Sequence, residues 1–200
     1  MMNLAILASG NGTNFEAIAQ AVKKGYIKAN LKILIVDKEK ALARKRAKKM
    51  GVKDIFINPK EFTAGADYNK ELVVVLKREK IDLVILAGYM RILTPYFIKS
   101  FKDKIINVHP ALLPAFKGTN SIERAFCYGV KLTGVTIHFV DNKVDHGPII
   151  IQEAIKITKT MSLNTLEKKV HQMEHKLYPF AIKLFVEKKI KKHGRNVKLV

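Results

Sequence analysis

A single cysteine, Cys127, stands among the 200 residues. That excludes a disulfide framework and any multi-cysteine zinc or iron–sulfur site. No apolar run approaches the roughly 18 residues that a membrane span requires. The opening MMNLAILASGNG lacks the basic leader and long apolar stretch of a secretory signal. A soluble, cytoplasmic protein with no membrane partner is therefore expected. Internal repeats, low-complexity tracts and linkers are missing as well, so one domain over residues 1–200 is expected. A hydrophobic fraction of 48% with 27% charged residues excludes global disorder and suffices for a real core.

Acidic residues are the other scarcity. Only 17 Asp and Glu stand against 37 Lys and Arg, a formal charge of +20. Such a balance permits a nucleic-acid partner, and a non-catalytic basic nucleic-acid-binding protein is one reading of it. The distribution disfavours that reading, because lysines lie on most of the expected helices. Only the tail, residues 188–200 with Lys188 to Lys192, His193 and Arg195, reads as a patch, and it has no interleaved aromatics for base stacking.

Apolar strand runs alternate with amphipathic, lysine-faced segments through the first half. Strands are expected at residues 3–8, 32–36, 54–57 and 81–87, with helices at 14–24, 39–50 and 67–79. Near-continuous apolar runs such as Leu83-Val84-Ile85-Leu86 belong to strands covered on both faces. The fold class is thus α/β, a doubly wound, mostly parallel, Rossmann-like sheet. Further on, a helix at 94–101 leads to a strand at 104–108, an irregular loop set by Pro110 and Pro114, and a helix at 120–128. Strands at 133–140 and 149–157 are spaced for an antiparallel hairpin. A long C-terminal helix is expected over 162–189, capped by Ser162 and carrying Pro179 inside it.

Four motifs carry chemistry. Ser9-Gly10-Asn11-Gly12-Thr13-Asn14 follows the first strand and opens a helix, where backbone N–H groups and the helix N-terminus favour an anion. The third glycine of a dinucleotide fingerprint and the Gly-Lys-Ser/Thr ending of a Walker loop are both missing, so a single phosphate fits better than either larger ligand. The bland alternative is a tight turn with Thr13 or Asn14 as helix cap. Asn107 and His109 alternate along one strand, so both point to one side at its C-terminal end, where open α/β sheets bind ligands. Both can donate hydrogen bonds to a developing oxyanion. The loop Asp141-Asn142-Lys143-Val144-Asp145-His146-Gly147-Pro148 places the Asp145 carboxylate at a turn, where, near His109, it favours imidazolium. His138 and His146 raise a metal site as an alternative, but no metal-binding histidine spacing occurs, and no metal is expected. Lastly, Gly88 allows close backbone approach, and Met90, Ile92 and Leu93 offer an apolar wall for a flat ligand, with Arg91 beside them.

In this order the motifs resemble those of the glycinamide ribonucleotide formyltransferases, the folate-dependent branch of the formyltransferase superfamily that serves purine synthesis. The resemblance runs from Leu4 to about Phe185. It rests on S-G-N-G-T-N, L-A-G-Y-M-R-I-L, I-N-V-H-P-A-L-L-P, T-I-H-F-V, the segment from Asp145 to Gln152, and Gln172-Met173-Glu174-His175 before Tyr178-Pro179. It implies formyl transfer from 10-formyltetrahydrofolate, a cosubstrate, to the amine of 5-phosphoribosylglycinamide, both small molecules, with no metal. By resemblance, Asn107, His109 and Asp145 are catalytic. Gly12, Thr13, Asn14, Asn107, His171, Gln172, Met173 and Glu174 bind the phosphoribosyl substrate. Met90, Arg91, Ile92, Leu93, Asp141, Asn142, Lys143, Val144 and Asp145 bind the folate. The phosphate-binding half spans about 1–100 and the catalytic and folate-binding half about 101–190. Asp145 is expected to raise the pKa of His109 and to assist proton transfer.

Some positions depart from the family pattern. Thr13 stands for a usual serine, Ala111 follows Pro110 where serine is more usual, and His146 replaces a common glycine. A family arginine that reaches toward the folate falls at Gly65, leaving Lys60, Lys70 or Arg91 for that contact. Methionyl-tRNA formyltransferases add a C-terminal domain and formyltetrahydrofolate hydrolases an N-terminal one, and neither is expected here. Sugar-amine formyltransferases fit the phosphate loop less well. A monomer or homodimer is expected.

Overall fold

Residues 4–8 are Leu, Ala, Ile, Leu and Ala, and none is exposed to solvent. Five buried apolar side chains in a row require a strand covered on both faces, the setting of a parallel sheet. The computed structural model describes residues 1–200, which divide into two compact units, 1–106 and 107–200. In the first unit, β1 (Asn3–Ala8), β2 (Asn30–Val36), β3 (Lys53–Phe56) and β4 (Leu83–Leu86) lie in the order β3-β2-β1-β4, every pair parallel. The helices α1 (Thr13–Lys23), α2 (Leu42–Met50) and α3 (Gly65–Arg78) connect them in turn, and α4 (Pro95–Ser100) follows β4. Phe15 and Ile18 on α1 are wholly buried, each worth about 1.5–3 kcal/mol against exposure.

Two local details depart from the expected boundaries. Helix α2 begins three residues later than its composition predicts, because residues 38–41 close a turn through the Ala41 N–H and the Lys38 carbonyl at 3.1 Å. Helix α1 has neither Thr13 nor Asn14 as its cap. Gly12 occupies that position in the left-handed region, with no side-chain cap bond.

The second unit begins inside β5 (Ile105–His109). It continues through α5 (Ser121–Tyr128) to β6 (Leu132–Phe139) and β7 (Ile149–Lys156), which pair antiparallel as expected. Helix α6 (Leu163–Val186) starts at Ser162, whose hydroxyl accepts the Thr165 N–H at 3.2 Å, and runs through Pro179. Its buried stripe includes Leu166, Val170, Leu177, Ala181 and Ile182, the spacing of one helical face. The architecture is α/β, a mostly parallel sheet with an antiparallel hairpin and a long C-terminal helix. No helix is long and apolar enough to cross a membrane.

The tail corrects the sequence reading. Helix α6 stops at Val186 rather than near residue 189, because Lys188 turns left-handed at φ 57° and the Lys189 N–H closes back on the Leu184 carbonyl at 2.8 Å. The remaining residues form a second hairpin, β8 (Ile190–His193) and β9 (Asn196–Leu199), turning at Gly194 with φ +60°. Strand β9 packs against β7. Lysine runs carry no period, so the alternation of half-buried Ile190 and Lys192 with exposed neighbours was masked in the sequence.

Candidate active site

Strand β5 ends on Asn107-Val108-His109, and the period of two sends Asn107 and His109 the same way. Both meet Asp145. The Asn107 carboxamide donates to Asp145 Oδ1 at 3.3 Å, and His109 Nδ1 lies 3.2 Å from Asp145 Oδ2. Gly118 donates its backbone N–H to the same Oδ2 at 2.8 Å. His109 is 4% exposed, so its charge depends on these neighbours.

The electrostatics differ from the sequence expectation. Burial pulls the pKa of His109 below the ordinary value and outweighs the Asp145 carboxylate and the Phe116 carbonyl, which favour the charged ring. Asp145 is also buried, which raises its pKa, but the nearby His138 imidazole, the hydrogen bond from Gly118 and the His109 imidazole hold the carboxyl below its usual range. His109 Nε2 is 2.9 Å from the Phe116 carbonyl. With oxygen acceptors at both ring nitrogens, protonation satisfies the two together, whereas the neutral ring can donate only once. Burial and these two acceptors therefore act on the ring proton in opposite directions, burial being the larger influence.

His138 is the member the sequence reading left out, having weighed it only as a metal ligand. It is buried on β6, and its Nδ1 lies 2.7 Å from the Phe139 carbonyl, which fixes the proton there. Its Nε2 then accepts from the Asn107 carboxamide at 3.2 Å. Asn107 therefore presents its nitrogen, not its oxygen, toward the cluster. The signal was in the strand: Thr136 and His138 are alternate polar residues in an otherwise apolar run. Thr136 is fully buried, accepts the Leu113 N–H at 3.1 Å and donates to the Ala111 carbonyl at 2.7 Å. Across the hairpin, Gln152 pairs with Thr136 and donates to Thr136 Oγ1 and to the Leu113 carbonyl, each at 2.9 Å. These bonds shape the loop after His109, which contains a cis Leu113–Pro114 bond.

The loop after β1 is held from within its own unit. Gly12 has φ +72°, and a Cβ there would lie 2.6 Å from Ala43 Cα on α2, so only glycine fits. Ala43 donates its N–H to the Gly10 carbonyl at 3.1 Å, and Arg46 donates to the Asn11 carbonyl at 2.8 Å while pairing with Glu16. Thr13 and Asn14 form the first turn of α1. Ser9 accepts the Met90 N–H at 2.9 Å and donates its own N–H to the Gly88 carbonyl at 3.1 Å, which joins this loop to the segment after β4.

That segment splits into two faces. Met90, Arg91 and Ile92 are exposed, with Met90 at 64% and Ile92 at 77%, whereas Leu93 is buried in the first unit's core. The Arg91 guanidinium sits 5.2 Å over the Tyr68 ring, whose hydroxyl accepts from Tyr89 at 3.1 Å. Gly65 begins α3 and offers no side chain for the missing arginine. In the second unit Asn142, Lys143 and Val144 are exposed, and Asp141 folds back to accept the Lys143 N–H at 3.0 Å. On α6, Glu174 is 4% exposed and accepts from His171 Nδ1 at 3.0 Å, which raises the pKa of His171. Gln172 is exposed and Met173 half-buried. No group of three His, Cys, Asp or Glu side chains is arranged to hold a metal ion.

A family model described as formyl transferase matches residues 2–182, and the chain belongs to that family. The phosphoribosylglycinamide formyltransferase of Bacillus subtilis (strain 168) is 40% identical over 183 residues, covering 92% of this chain and 94% of that protein. Among solved structures, glycinamide ribonucleotide transformylase 1 from Symbiobacterium toebii superposes with a TM-score of 0.97 at 36% identity, covering 100% of this chain and 94% of the other. Phosphoribosylglycinamide formyltransferase from Bacillus halodurans gives 0.90 at 43% identity, covering 93% and 96%.

Proposed function

We propose that this formyltransferase moves the formyl group of 10-formyltetrahydrofolate to the amine of 5-phosphoribosylglycinamide in purine biosynthesis, in the cytoplasm. The observation that carries the reading is the meeting of Asn107, His109 and Asp145 within hydrogen-bond reach. The names of the relatives favour this acceptor over other amines.

The reaction is attack of a free amine on a formyl carbon, with negative charge gathering on the formyl oxygen. The Asn107 carboxamide, held by His138 and turning toward that oxygen the N–H it gives Asp145 at rest, and the His109 ring donate to it, each worth about 3–4 kcal/mol in comparable acyl-transfer sites. In the resting state the His109 Nε2 proton is taken by the neutral Phe116 carbonyl, and a developing oxyanion is the stronger acceptor. Asp145 stabilises the imidazolium and receives the proton that the amine loses. His109, made more acidic by burial, releases a proton to the departing folate nitrogen, and the proton taken up by Asp145 replaces it on the ring, which restores both groups. No covalent intermediate is needed.

Other residues supply the binding. Gly12, Thr13 and Asn14 present backbone N–H groups to the phosphate, as a helix N-terminus favours. Glu174, kept buried and paired with His171, accepts from ribose hydroxyls or the glycinamide, with Gln172 and Met173 flanking it. Exposed Met90 and Ile92 offer apolar surface to the pterin, Arg91 offers charge to the folate carboxylates, and the backbone of residues 141–145 offers hydrogen bonds to the pterin edge. The test is an absorbance assay of folate release with 5-phosphoribosylglycinamide as acceptor. Turnover that depends on this acceptor supports the reading; hydrolysis alone, or formylation only of a tRNA or sugar amine, overturns it.

A further inference from the structure

The feature left unexplained by the proposed chemistry is the C-terminal hairpin. Its turn carries Arg195, and Arg195 Nη2 donates to the His146 carbonyl at 2.8 Å. The Arg195 Nη1 lies 3.4 Å from His146 Nδ1 and 3.5 Å from Nε2, so the guanidinium lies against the ring while gripping the backbone. His146 Nδ1 is in turn 2.7 Å from Asp141 Oδ2. The Asp141 carboxyl is drawn below its usual range: burial opposes this, but the His146 bond, the Lys143 N–H and the Arg195 charge prevail. A continuous chain therefore runs from the hairpin turn through His146 to the start of the loop that holds Asp145.

Asp145 needs that support. Its φ is +46°, a left-handed backbone at a residue with a side chain. Such a conformation costs on the order of 1–3 kcal/mol and persists only where its surroundings over-determine it. On its N-terminal side the loop closes through Asp141 and Lys143. Beyond it, Gly147 is pressed so close to the Phe139 carbonyl that no Cβ fits, and Pro148 accepts the Phe139 N–H at 2.9 Å. His146 is the residue between the strained position and that anchor, and Arg195 holds its carbonyl. The hairpin itself is fastened: Lys192 lies 5.7 Å over the Phe139 ring and the Val200 N–H bonds the Lys189 carbonyl at 3.0 Å.

We propose that Arg195 is a positioning residue, which acts through the His146 carbonyl and the His146–Asp141 pair to hold the Asp145 loop in its reactive shape. The proposal rests on the role given to Asp145 above. It assigns to the basic tail a specific task in place of a diffuse charge. The arginine fork matters, because one nitrogen bonds the carbonyl while the other lies along the ring; a lysine ammonium supplies charge without that planar grip.

The test compares full-length wild type with Arg195→Ala, Arg195→Lys, His146→Gly and the double variant Arg195→Ala/His146→Gly. Displacement of a reacting group by a fraction of an ångström is expected to lower kcat about five- to twentyfold in Arg195→Ala. The KM for phosphoribosylglycinamide stays within about twofold, since none of its expected contacts is touched. Arg195→Lys recovers little, and the two single losses fail to add in the double variant. Amide hydrogen exchange supplies a readout independent of turnover: residues 142–147 exchange faster in Arg195→Ala, while the amides of β6 keep wild-type rates. Wild-type kcat and unchanged loop exchange in Arg195→Ala overturn the proposal, as does a loss fully restored by Arg195→Lys or accompanied by faster exchange throughout β6. Asp145→Asn is assayed alongside. If it alone is impaired, the tail proposal fails and the site stands; if it keeps wild-type turnover, the reading of the site fails.

Discussion

Gly118 donates its backbone N–H to Asp145 Oδ2 across 2.8 Å, so the carboxylate that faces His109 also closes the loop following it. One side chain thereby serves both an imidazole and a main-chain turn. Substituting it disturbs both, and the choice of replacement decides which disturbance is read.

Asp145→Asn keeps the size of the side chain and an acceptor for Gly118 but removes the charge beside His109. We expect kcat to fall by well over about tenfold with KM values near wild type, as for loss of a transition-state interaction. His109→Ala is expected to behave alike. Steady-state kinetics on both substrates check this, and wild-type turnover in either variant sinks the assignment.

Gly12→Ala forces a Cβ to within 2.6 Å of the Ala43 backbone and places alanine at φ +72°. The left-handed conformation alone costs about 1–2 kcal/mol, and displacement of α2 adds to it. Denaturant unfolding is expected to show a lower midpoint, and the KM for phosphoribosylglycinamide to rise more than that for the folate. An equal rise in both would argue against a phosphate role for this loop.

Thr136→Val is nearly isosteric but deletes the hydroxyl that serves Leu113 and Ala111. A buried donor or acceptor left unmade costs about 1–3 kcal/mol. We expect a clear drop in unfolding free energy together with a lower kcat, because the loop between His109 and Gly118 loses its brace. A stable variant with normal kcat would show that the brace is dispensable.

His171 has its pKa raised by Glu174 first, with Glu167 adding to the effect and burial opposing it. A histidine raised in the folded state contributes stability below its unfolded value near 6.5, and that contribution is lost as pH rises through the folded value. The gap in melting temperature between wild type and His171→Gln should therefore be widest below about pH 6.5 and narrow as pH rises above it. A gap that is constant across this range would mean that the pair does not titrate.

Much of the fold was legible because its signals are periodic. Buried apolar runs placed β1, β4 and β5 within two residues at either end, and the alternation of Asn107 with His109 put two site groups on one strand face. Asp145 stood out as a carboxylate at a turn between two strands, but its role came from motif resemblance, since nothing local distinguishes it from any aspartate at such a turn. His138 escaped because its role is set by a partner 31 residues away, and strand patterning reports a face without naming what covers it. The tail escaped for a related reason: Lys188, with φ 57°, ends the helix through a backbone conformation that lysine rarely adopts. The sign of the His109 shift could not be read either, as it depends on how deeply the ring is buried against one carboxylate.

Ser9 has a mechanical consequence beyond its two hydrogen bonds to Gly88 and Met90. Loops on neighbouring strands ordinarily fluctuate on their own, each with its own amplitude. Here residues 9–14 and 88–93 are riveted at their bases, so thermal motion in one drives the other. A ligand that quiets the first will quiet the second before anything has touched it, and relaxation of the Met90 amide would register an anion several residues away.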